Sequence, residues 1–184
     1  NPRVDFHSIV LEIVRRVKPD TIRKRAKDLN FAKIYGAGQH KVAEMMGLTD
    51  EEALPFVEAY DEAFPEAGML LKKAMEAARV RGWVRTMAGR RARFPERQFL
   101  HSALNRVIQG TAADIMKRKL VELYKQRKEL GLTLRMTVHD EVVGDVPDKQ
   151  AADRVSAVLD EQTTPTSVPI LWGGKTGANW RECK

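Results

Sequence analysis

The sequence predicts an α+β protein whose helical amino-terminal part precedes a carboxy-terminal part that carries a β-hairpin. Apolar residues recur with helical spacing as far as Val80. Residues 132–138 instead alternate apolar and polar side chains with the period of a half-buried strand, and residues 142–147 return as a second strand. The 184 residues suffice for one domain or for two small domains packed together. We place the division after residue 80, which gives parts 1–80 and 81–184.

Composition indicates an anionic partner. Lysine and arginine total 32 against 25 acidic residues, so the chain carries a net charge of +7. Nucleic acid is the simplest partner for such an excess, although a basic ribosomal or membrane-surface protein has a similar composition. The only cysteine, Cys183, argues against a disulfide framework and a thiol-based metal site. No apolar run approaches the ~20 residues of a membrane span.

The amino terminus does not have the pattern of a signal peptide, because Arg3, Asp5 and His7 interrupt any apolar region. We therefore expect a cytoplasmic protein without a membrane partner. The first residue is Asn1 rather than methionine. The chain is expected to be a processed product or a part of something longer.

A basic helix at residues 23–36 is the most informative segment. Arg23, Lys27, Phe31 and Tyr35 recur every fourth residue, so they share one stripe of a helix. A nucleoside triphosphate lying along that stripe would meet cations at its phosphate end and a ring at its base end. A solvated basic helix that simply buries its apolar residues has the same spacing. Spacing alone leaves both alternatives open. The residues that the second alternative buries are Leu29, Phe31, Ile34 and Tyr35.

Helices are also predicted on both sides of this segment. Residues 4–17 alternate apolar and basic residues with helical spacing, and Pro19-Asp20-Thr21 is a start signal for the basic helix. Thr49 and Glu52 predict a capping box for a helix that Pro65 ends. Further helices are predicted over residues 41–46, 69–80 and 153–161, and a final strand over residues 168–172.

An arginine-rich stretch occupies residues 81–93. Trp83, Val84 and Met87 alternate there with glycines, which indicates a short strand pair or an irregular turn. The stretch is either a solubilising loop or a phosphate-binding element, because guanidinium groups match phosphate oxygens. Its candidate contacts are Arg85, Arg90, Arg91 and Arg93.

A long helix is predicted over residues 102–128. Asn105 and Gln109 lie four residues apart and share a face of it. They are either ordinary buried or surface amides, or donors for the minor groove of DNA, where every base pair offers similar acceptors. The apolar residues expected to point inward are Leu104, Ile108, Ile115, Leu120 and Leu123.

Two adjacent carboxylates, Asp140 and Glu141, follow the first strand of the predicted hairpin. Neighbouring acids repel each other, and a bare turn would more readily use Asn-Gly. The pair is therefore either two solvent-exposed acids without a binding role or a divalent-metal site. Carboxylate oxygens suit Mg²⁺, and nucleotidyl transfer commonly uses two such ions.

Four ordered motifs resemble the family A DNA polymerases, the family of bacterial DNA polymerase I. Arg-x3-Lys-x3-Phe-x3-Tyr-Gly is similar to motif B, and Val-His-Asp-Glu is similar to motif C. The arginine-rich stretch and Asn-x3-Gln-Gly-Thr-Ala-Ala-Asp are similar to two further segments of the family. The matching segments are residues 23–36, 81–91, 105–114 and 138–141. By this resemblance residues 1–80 are the helical fingers, and residues 81–184 are the carboxy-terminal part of an antiparallel palm sheet with a catalytic β-hairpin.

The resemblance also implies roles for individual residues. Asp140 and Glu141 would supply one of the two sets of ligands for two Mg²⁺ ions. Lys27 would assist catalysis. Residues implied to bind the incoming dNTP are His7, Arg23, Lys27, Phe31 and Tyr35. Residues implied to contact primer-template DNA are Arg85, Arg90, Arg91, Asn105, Gln109 and His139, the last at the primer terminus.

Three positions refine the resemblance. Phe31 and Glu141 favour DNA synthesis over RNA synthesis, because the single-subunit phage RNA polymerases usually have serine after their His-Asp pair. His101 stands where bacterial members usually have arginine, and phage members tolerate histidine there. The sequence therefore favours a phage-type enzyme, which would work in the host cytoplasm.

The motif A segment of the family, Asp-Tyr-Ser-x-Ile-Glu, is not present in these 184 residues. It would lie just before Asn1 and would supply the other metal-binding aspartate. We expect the chain alone not to extend primers. A second polypeptide carrying motif A and the thumb is expected, unless the chain is a truncated product. The competing interpretation is a non-catalytic nucleic-acid-binding module with a polymerase-like fold.

Overall fold

The structure is a computed structural model that describes residues 5–183. Its elements are α1 (Phe6–Val17), α2 (Arg23–Ile34), α3 (Gln39–Met46), α4 (Asp50–Ala63), α5 (Pro65–Arg81), β1 (Trp83–Arg85), β2 (Arg91–Arg93), α6 (Ala103–Leu130), β3 (Thr133–Val138), β4 (Glu141–Asp145) and α7 (Lys149–Asp160). Two 3₁₀ turns, Pro95–Arg97 and Leu100–Ser102, precede α6. The described chain forms two compact units that divide after Thr111, inside α6. The predicted fingers and palm division after residue 80 rests on motif content and stays a prediction.

Four helices, α1 to α4, enclose the first core of the amino-terminal unit. The core residues come from every helix of the group. They are Val10, Val14, Ala26, Leu29, Ala32, Val42, Met46, Phe56 and Tyr60. Burying side chains of this size contributes about 1.5–3 kcal/mol for each of the larger ones. Each of the four helices thus turns one side toward a shared core.

The helix boundaries follow local capping chemistry. The Thr49 hydroxyl accepts from the Glu52 N–H at 3.2 Å, and the Glu52 carboxylate accepts from the Thr49 N–H at 2.9 Å. The predicted capping box is therefore confirmed. Pro65 both ends α4 and opens α5, since proline at the first helical position lacks only an N–H that would be unpaired anyway.

The start of α2 differs from the prediction. The N-cap is Ile22, which makes no side-chain cap. Thr21 is buried, and its hydroxyl donates at 2.7 Å to the carbonyl of Lys18 in the preceding turn. Thr21 therefore closes the loop instead of capping the helix. At the other end Gly36 has a φ of +77°, which is the left-handed conformation expected of a helix breaker.

A second core links the arginine-rich stretch to two helices. β1 and β2 pair as an antiparallel hairpin with Val84 opposite Ala92, which confirms the predicted strand pair. Val84 and Phe94 are buried with Ala78 of α5 and Ala103 of α6. The small residues on the helices allow the hairpin to approach closely.

Gly110 marks the closest approach of this hairpin to α6. A Cβ atom at Gly110 would lie 2.7 Å from the Thr86 methyl carbon and 3.3 Å from the Arg90 guanidinium. Both residues follow β1, and Thr86 is itself buried. The glycine within Asn-x3-Gln-Gly is therefore required by packing.

The carboxy-terminal unit contains the end of α6, the β3–β4 hairpin and α7. Leu123, Leu130 and Leu132 are its buried core, with partly buried residues of the hairpin and α7 around them. Arg135 is an extra residue on β3, where the pairing shifts between Leu134 and Met136. Such a bulge bends and twists a hairpin.

The inward orientation predicted for Ile108 of α6 is wrong, because its side chain is 46% exposed.

The predicted strand at residues 168–172 does not form. The Gln162 side-chain amide accepts from the Ile170 N–H at 2.9 Å and donates to the Ile170 carbonyl at 2.8 Å. The Trp172 N–H donates to the Asp160 carboxylate at 2.8 Å. Side chains of the end of α7 and the residues after it thus take the place of a neighbouring strand.

Within residues 5–183, no helix is long and apolar enough to cross a membrane.

We predict opposite signs for two glycine-to-alanine substitutions. In a helix interior this change normally stabilises by about 0.5–1 kcal/mol. Gly68→Ala in α5 should show that gain, because nothing lies within 4 Å of the added carbon. Gly110→Ala should destabilise, because the short branched side chain of buried Thr86 cannot swing away. Urea unfolding measures both. Equal stabilisation of the two variants would contradict the packing at Gly110.

Candidate nucleotide and nucleic-acid site

The predicted stripe on α2 is present and open to solvent. Arg23 and Lys27 are exposed, Phe31 is half-buried and Tyr35 is 37% exposed. The rings of Phe31 and Tyr35 are stacked with centroids 6.0 Å apart, and the Lys27 ammonium lies 5.5 Å from the Phe31 centroid. The cations and aromatic rings therefore form one continuous surface in the predicted order.

The core side of α2 is formed by other residues. The buried residues of the helix are Ala26, Leu29, Asn30 and Ala32. The purely structural alternative expected four buried residues on this helix, and Leu29 is the only one of them that is buried. Exposure of Tyr35 argues against that alternative. A charged and aromatic face left open on a helix is a surface suited to a ligand.

Asp5 joins the start of α1 to the cationic end of the stripe. Its carboxylate accepts from the His7 N–H at 3.2 Å and the Ser8 hydroxyl at 2.7 Å, and so caps α1. The same carboxylate pairs with the Arg23 guanidinium at 2.5 Å. The bonds from Arg23 and Ser8 lower the pKa of Asp5 to about 2. Arg23 is thereby held at the start of α1, and its charge is partly balanced.

A buried hydrogen-bond chain orients His7. The Tyr60 hydroxyl donates to the Asn30 side-chain oxygen at 2.8 Å, and the Asn30 amide nitrogen lies 3.3 Å from His7 Nδ1. Burial raises the pKa of Tyr60 to about 12, so its hydroxyl remains a donor. Because Asn30 uses its oxygen toward Tyr60, its NH₂ group faces His7. His7 Nδ1 must then accept, and the neutral ring carries its proton on Nε2.

Sequence reasoning missed Asn30 and Tyr60 as contributors to the site. Tyr60 belongs to the core of the amino-terminal unit, and its hydroxyl also supports His7 through Asn30. The available signal was Asn30, a polar residue between the core positions Leu29 and Ala32. A buried amide needs partners. Their identity depends on helix packing that the sequence does not display.

The two amides on α6 differ in their surroundings. Gln109 donates to the Tyr35 hydroxyl at 3.3 Å, which connects α6 to the stripe on α2. The Asn105 side-chain oxygen is buried and makes no hydrogen bond within residues 5–183. An unpaired buried acceptor costs about 1–3 kcal/mol. Asn105 thus carries unused hydrogen-bonding capacity next to Gln109.

The three predicted arginine contacts on the first hairpin also differ. Arg85 and Arg91 are exposed and directly opposite each other across β1 and β2. Arg90 donates through Nη2 to the Gly110 carbonyl at 2.8 Å. Arg90 therefore holds the hairpin against α6 with part of its guanidinium. Arg93 is exposed as well.

The carboxylates of the second hairpin lie at its tip. β3 and β4 are joined by the two-residue turn His139-Asp140, and Glu141 opens β4 opposite Val138. All three polar residues are exposed. His139 has a φ of +54°, a conformation that costs a non-glycine residue about 1 kcal/mol or more. Glycine would remove that strain, so histidine is unfavourable here for the turn itself.

The donor set at this tip fits part of a magnesium site. Asp140 and Glu141 offer the hard oxygen ligands that Mg²⁺ prefers. Within residues 5–183, no group of three or more His, Cys, Asp or Glu side chains is arranged to hold a metal ion. The tip alone would therefore supply only part of a coordination sphere, and a metal bound there would need further ligands.

A family model for DNA polymerase family A matches residues 2–182, so the chain belongs to that family. The chain is 34% identical to the thermostable DNA polymerase I of Thermus filiformis over 174 residues, which cover 89% of this chain and 21% of that one. It is 32% identical to DNA polymerase I of Lactococcus lactis subsp. cremoris, with coverage of 88% and 20%. The chain thus spans about a fifth of these curated relatives.

A solved structure has the same fold. The POL domain of Pol1 from M. smegmatis, in complex with DNA primer-template and dNTP, superposes with a TM-score of 0.79 at 28% identity. The match covers 92% of this chain and 33% of that one. The predicted mixture of helices and small antiparallel sheets is confirmed. These relatives are bacterial, and the phage-type origin stays a prediction from His101.

We predict that Tyr60→Phe destabilises the protein by about 1–3 kcal/mol, because it leaves the buried Asn30 oxygen without a donor. Tyr124→Phe is the matched control and should change stability by less than about 0.5 kcal/mol, since Tyr124 is 57% exposed. Urea unfolding measures both. Nitrogen-15 shifts of the His7 ring should show protonation at Nε2 in the wild type and a mixture of tautomers in Tyr60→Phe. A mixed wild-type ring would contradict the hydrogen-bond chain.

We also predict an acid-sensitive contribution from Asp5. Its folded-state pKa of about 2 lies below the ordinary 3.8, so the pairing with Arg23 stabilises the fold above pH 3.8. That contribution is lost as the pH falls toward 2. Asp5→Asn, which keeps a capping oxygen, should unfold with a smaller dependence on pH in this window. Asp20→Asn, at an exposed carboxylate, is the control. Parallel pH curves for wild type and Asp5→Asn would refute the assignment.

Proposed function

We propose that this chain takes part in template-directed DNA synthesis, in which a nucleotide is transferred from a dNTP to a primer 3′-OH. The observation that carries the proposal is the exposed stripe of α2. It presents Arg23, Lys27, Phe31 and Tyr35 in line, next to the oriented His7. Membership of the polymerase family supports the same activity.

The triphosphate would lie with its phosphates at the amino-terminal half of α2. Arg23, Lys27 and the Nε2–H of His7 are the donors there, and the helix dipole adds to their attraction for anions. Lys27 would also neutralise charge that develops on the leaving phosphates, which is a catalytic role. Binding would require Arg23 to share its guanidinium between Asp5 and a phosphate.

The base end of the stripe would support the new base pair. Phe31 and Tyr35 offer aromatic rings on which a base could stack. Gln109 reaches the Tyr35 hydroxyl, so the residues proposed to stack under the pair and to probe its minor groove are in contact. Asn105 lies one turn earlier on the same helix, and its side-chain NH₂ group would be the donor to the groove acceptors. This arrangement supports inspection of base-pair shape without reading of the sequence.

The remaining nucleic-acid contacts would come from the hairpins. Arg85, Arg90 and Arg91 would approach the phosphate backbone, as guanidinium groups commonly do. His139 would position the primer terminus from its strained turn. Such strain is typical of functional turns.

Asp140 and Glu141 would hold Mg²⁺ together with an aspartate from a palm strand outside these 184 residues. When bound, two such ions stabilise the attacking and leaving oxygens of the displacement. Both side chains are exposed at the tip, where a further strand or phosphates would approach them. We propose two ions, in line with the family.

The proposal requires a thumb and the first palm strand, because the chain spans 20–21% of its relatives. They would come from the same polypeptide or from a second one, as in a split polymerase. Native mass spectrometry of the purified protein separates these cases. A cytoplasmic location, in a host cell if the protein is phage-encoded, remains a prediction.

We predict that Asp140→Asn lowers the rate of primer extension by about 10²–10³-fold or more, since stabilisation of transition-state charge of this kind is worth several kcal/mol. The assay uses the polymerase assembly that contains this chain, with Mg²⁺ and dNTPs. DNA affinity should be unchanged or increased, because a negative charge near phosphates is removed. Asp153→Asn, an exposed aspartate of α7 in the same unit, is the control.

Three results would count against this assignment. A wild-type assembly that incorporates no nucleotide would refute the polymerase proposal and favour a nucleic-acid-binding module. Wild-type rates in Asp140→Asn would refute the metal assignment. An equal loss of activity in Asp153→Asn would show that the effect is general.

A further inference from the structure

The start of α1 lies beside the cationic half of the α2 stripe. The Asp5 carboxylate meets Arg23 at the first residue of α2. Two residues further along α1, the ring of His7 lies 5.3 Å from the ring of Phe31, measured between centroids. Arg23 and Phe31 are eight residues apart, which is about 12 Å along a helix that rises 1.5 Å per residue. The proposed nucleotide would therefore have α1 at its side from the base end to the last phosphate.

One carboxylate at this boundary accepts four hydrogen bonds. Oδ1 of Asp5 accepts from the His7 N–H at 3.2 Å, and Oδ2 accepts from the Ser8 hydroxyl at 2.7 Å. Oδ2 also accepts from Nε and Nη2 of Arg23 at 3.2 and 2.5 Å. The first two bonds already cap α1. The bonds from Arg23 are therefore not needed to begin that helix.

The pairing fixes one edge of the Arg23 guanidinium and leaves another edge open. A guanidinium has five N–H groups. Asp5 accepts the Nε–H and one hydrogen of Nη2, so both hydrogens of Nη1 and the second hydrogen of Nη2 remain. Adjacent donors of this kind bind two phosphate oxygens at once. Arg23 is thus able to hold Asp5 and a phosphate at the same time.

Electrostatics alone disfavours a carboxylate at this place. A negative charge repels the phosphates of a nucleotide. The pKa of Asp5 is about 2, so the carboxylate is ionised at neutral pH. The ion pair is also exposed, with 42% of the Asp5 and 54% of the Arg23 side chain accessible. Exposed ion pairs add little to folding stability, whereas an ordered arginine is useful to a ligand.

Lys27, the next cation of the stripe, is not held in this way. It forms no ion pair within residues 5–183, and its ammonium lies 5.5 Å from the Phe31 centroid. Because Lys27 is one turn closer to Phe31 than Arg23 is, it would meet the phosphates nearer the sugar. Arg23 would meet the last phosphate. The ordered cation is therefore the one that faces the phosphate which a nucleoside diphosphate lacks.

We propose that Asp5 is a positioning residue that makes this site prefer nucleoside triphosphates to diphosphates, by holding Arg23 where the third phosphate would bind. A side chain that is already ordered loses less entropy when its ligand arrives. The same carboxylate holds the backbone of His7, so one group fixes two phosphate donors relative to each other. The inference rests on the proposed nucleotide site and assigns its selectivity for phosphate number.

The test measures nucleotide affinity without turnover. The polymerase assembly that contains this chain is bound to a primer-template whose primer ends in a dideoxynucleotide, so that no nucleotide transfer follows. Isothermal titration with the complementary dNTP, and separately with the corresponding dNDP, gives two dissociation constants and their ratio. Circular dichroism establishes that each variant is folded.

Two substitutions remove the ion pair and keep the cap of α1. Asp5→Asn retains a side-chain oxygen for the His7 N–H. Asp5→Ser is also a good cap, but its shorter side chain does not reach Arg23. The matched control is Asp28→Asn, at a half-buried acid of α2 that forms no ion pair within the described part of the chain. It removes the same charge from the helix that carries the stripe.

The expected result is a loss that is specific for the triphosphate. Both Asp5 variants should bind dNTP about 2- to 10-fold more weakly, which is the usual cost of ordering one long side chain, and should bind dNDP nearly as the wild type does. Asp28→Asn should bind dNTP as tightly as the wild type or more tightly, because it only removes repulsion. The effect at Asp5 thus has the opposite sign to the effect of charge alone.

A double-mutant cycle tests whether Asp5 acts through Arg23. Arg23→Gln alone should abolish the preference for dNTP over dNDP. Adding Asp5→Asn to it should then change neither dissociation constant, because the side chain that Asp5 positions is already absent. Additive losses in the double variant would overturn the inference.

Further results distinguish this inference from the proposed function. Tighter dNTP binding by Asp5→Asn would show that the carboxylate competes with phosphate, and equal losses for dNTP and dNDP would show general support of the fold. Either result overturns the inference. A wild-type assembly that binds dNTP and dNDP equally well would overturn it and leave the proposed function intact. A wild-type assembly that binds neither nucleotide would overturn both.

Discussion

The amide of Asn30 is the constraint on which the amino-terminal unit depends. It lies in the core among α1, α2 and α4, and it must satisfy both its oxygen and its nitrogen there. In the observed rotation of α2 the oxygen meets Tyr60 while the nitrogen meets His7. That rotation puts Leu29 inward, and it places Phe31 and Tyr35 at the surface. The exposed stripe is thus a geometric result of a buried polar bond.

The hydrogen bond between Tyr60 and Asn30 lets α2 combine packing in the core with an open charged and aromatic face. Apolar burial stabilises the helix through small residues such as Ala26 and Ala32, which contribute little individually. The cationic and aromatic side chains of the stripe stay at the surface, where the proposed nucleotide would bind. Asp5 adds a carboxylate on the cationic end, which orders Arg23 and moderates repulsion along the helix. The proposed binding surface and the core contacts therefore use different faces of one short element.

The sequence predicted the helices and the hairpins because each carries a local signal. The capping box at Thr49 and the alternation before Asp140 are complete within a few residues, and the structure contains both elements. The strand expected near Ile170 failed because apolar content alone does not supply a pairing partner. The pairing partner of Ile170 is instead the Gln162 side chain, and no periodic pattern in the sequence indicates that contact.

The stripe on α2 could be predicted because helical spacing fixes which residues share a face. The support behind it could not be predicted, since Asn30 and Tyr60 are 30 positions apart and meet only through packing. The contacts of Trp83 with Arg85 and Arg91 have the same origin. Arg85 and Arg91 were visible as basic residues, but their common partner Trp83 follows from strand register. A sequence shows which residues are charged or aromatic, but it does not show which distant residues they contact.

The clasp between Gln162 and Ile170 has a consequence for the end of the chain. A strand is held by many backbone bonds that any sequence can form, but Ile170 is held by the two ends of the Gln162 carboxamide, and Trp172 by the Asp160 carboxylate. Hydrolysis of the Gln162 amide to a carboxylate would leave the acceptor and delete the donor, turning the Ile170 carbonyl toward water. The backbone around Ile170 is therefore sensitive to chemical ageing of the Gln162 side chain, to which backbone-paired strands are not subject.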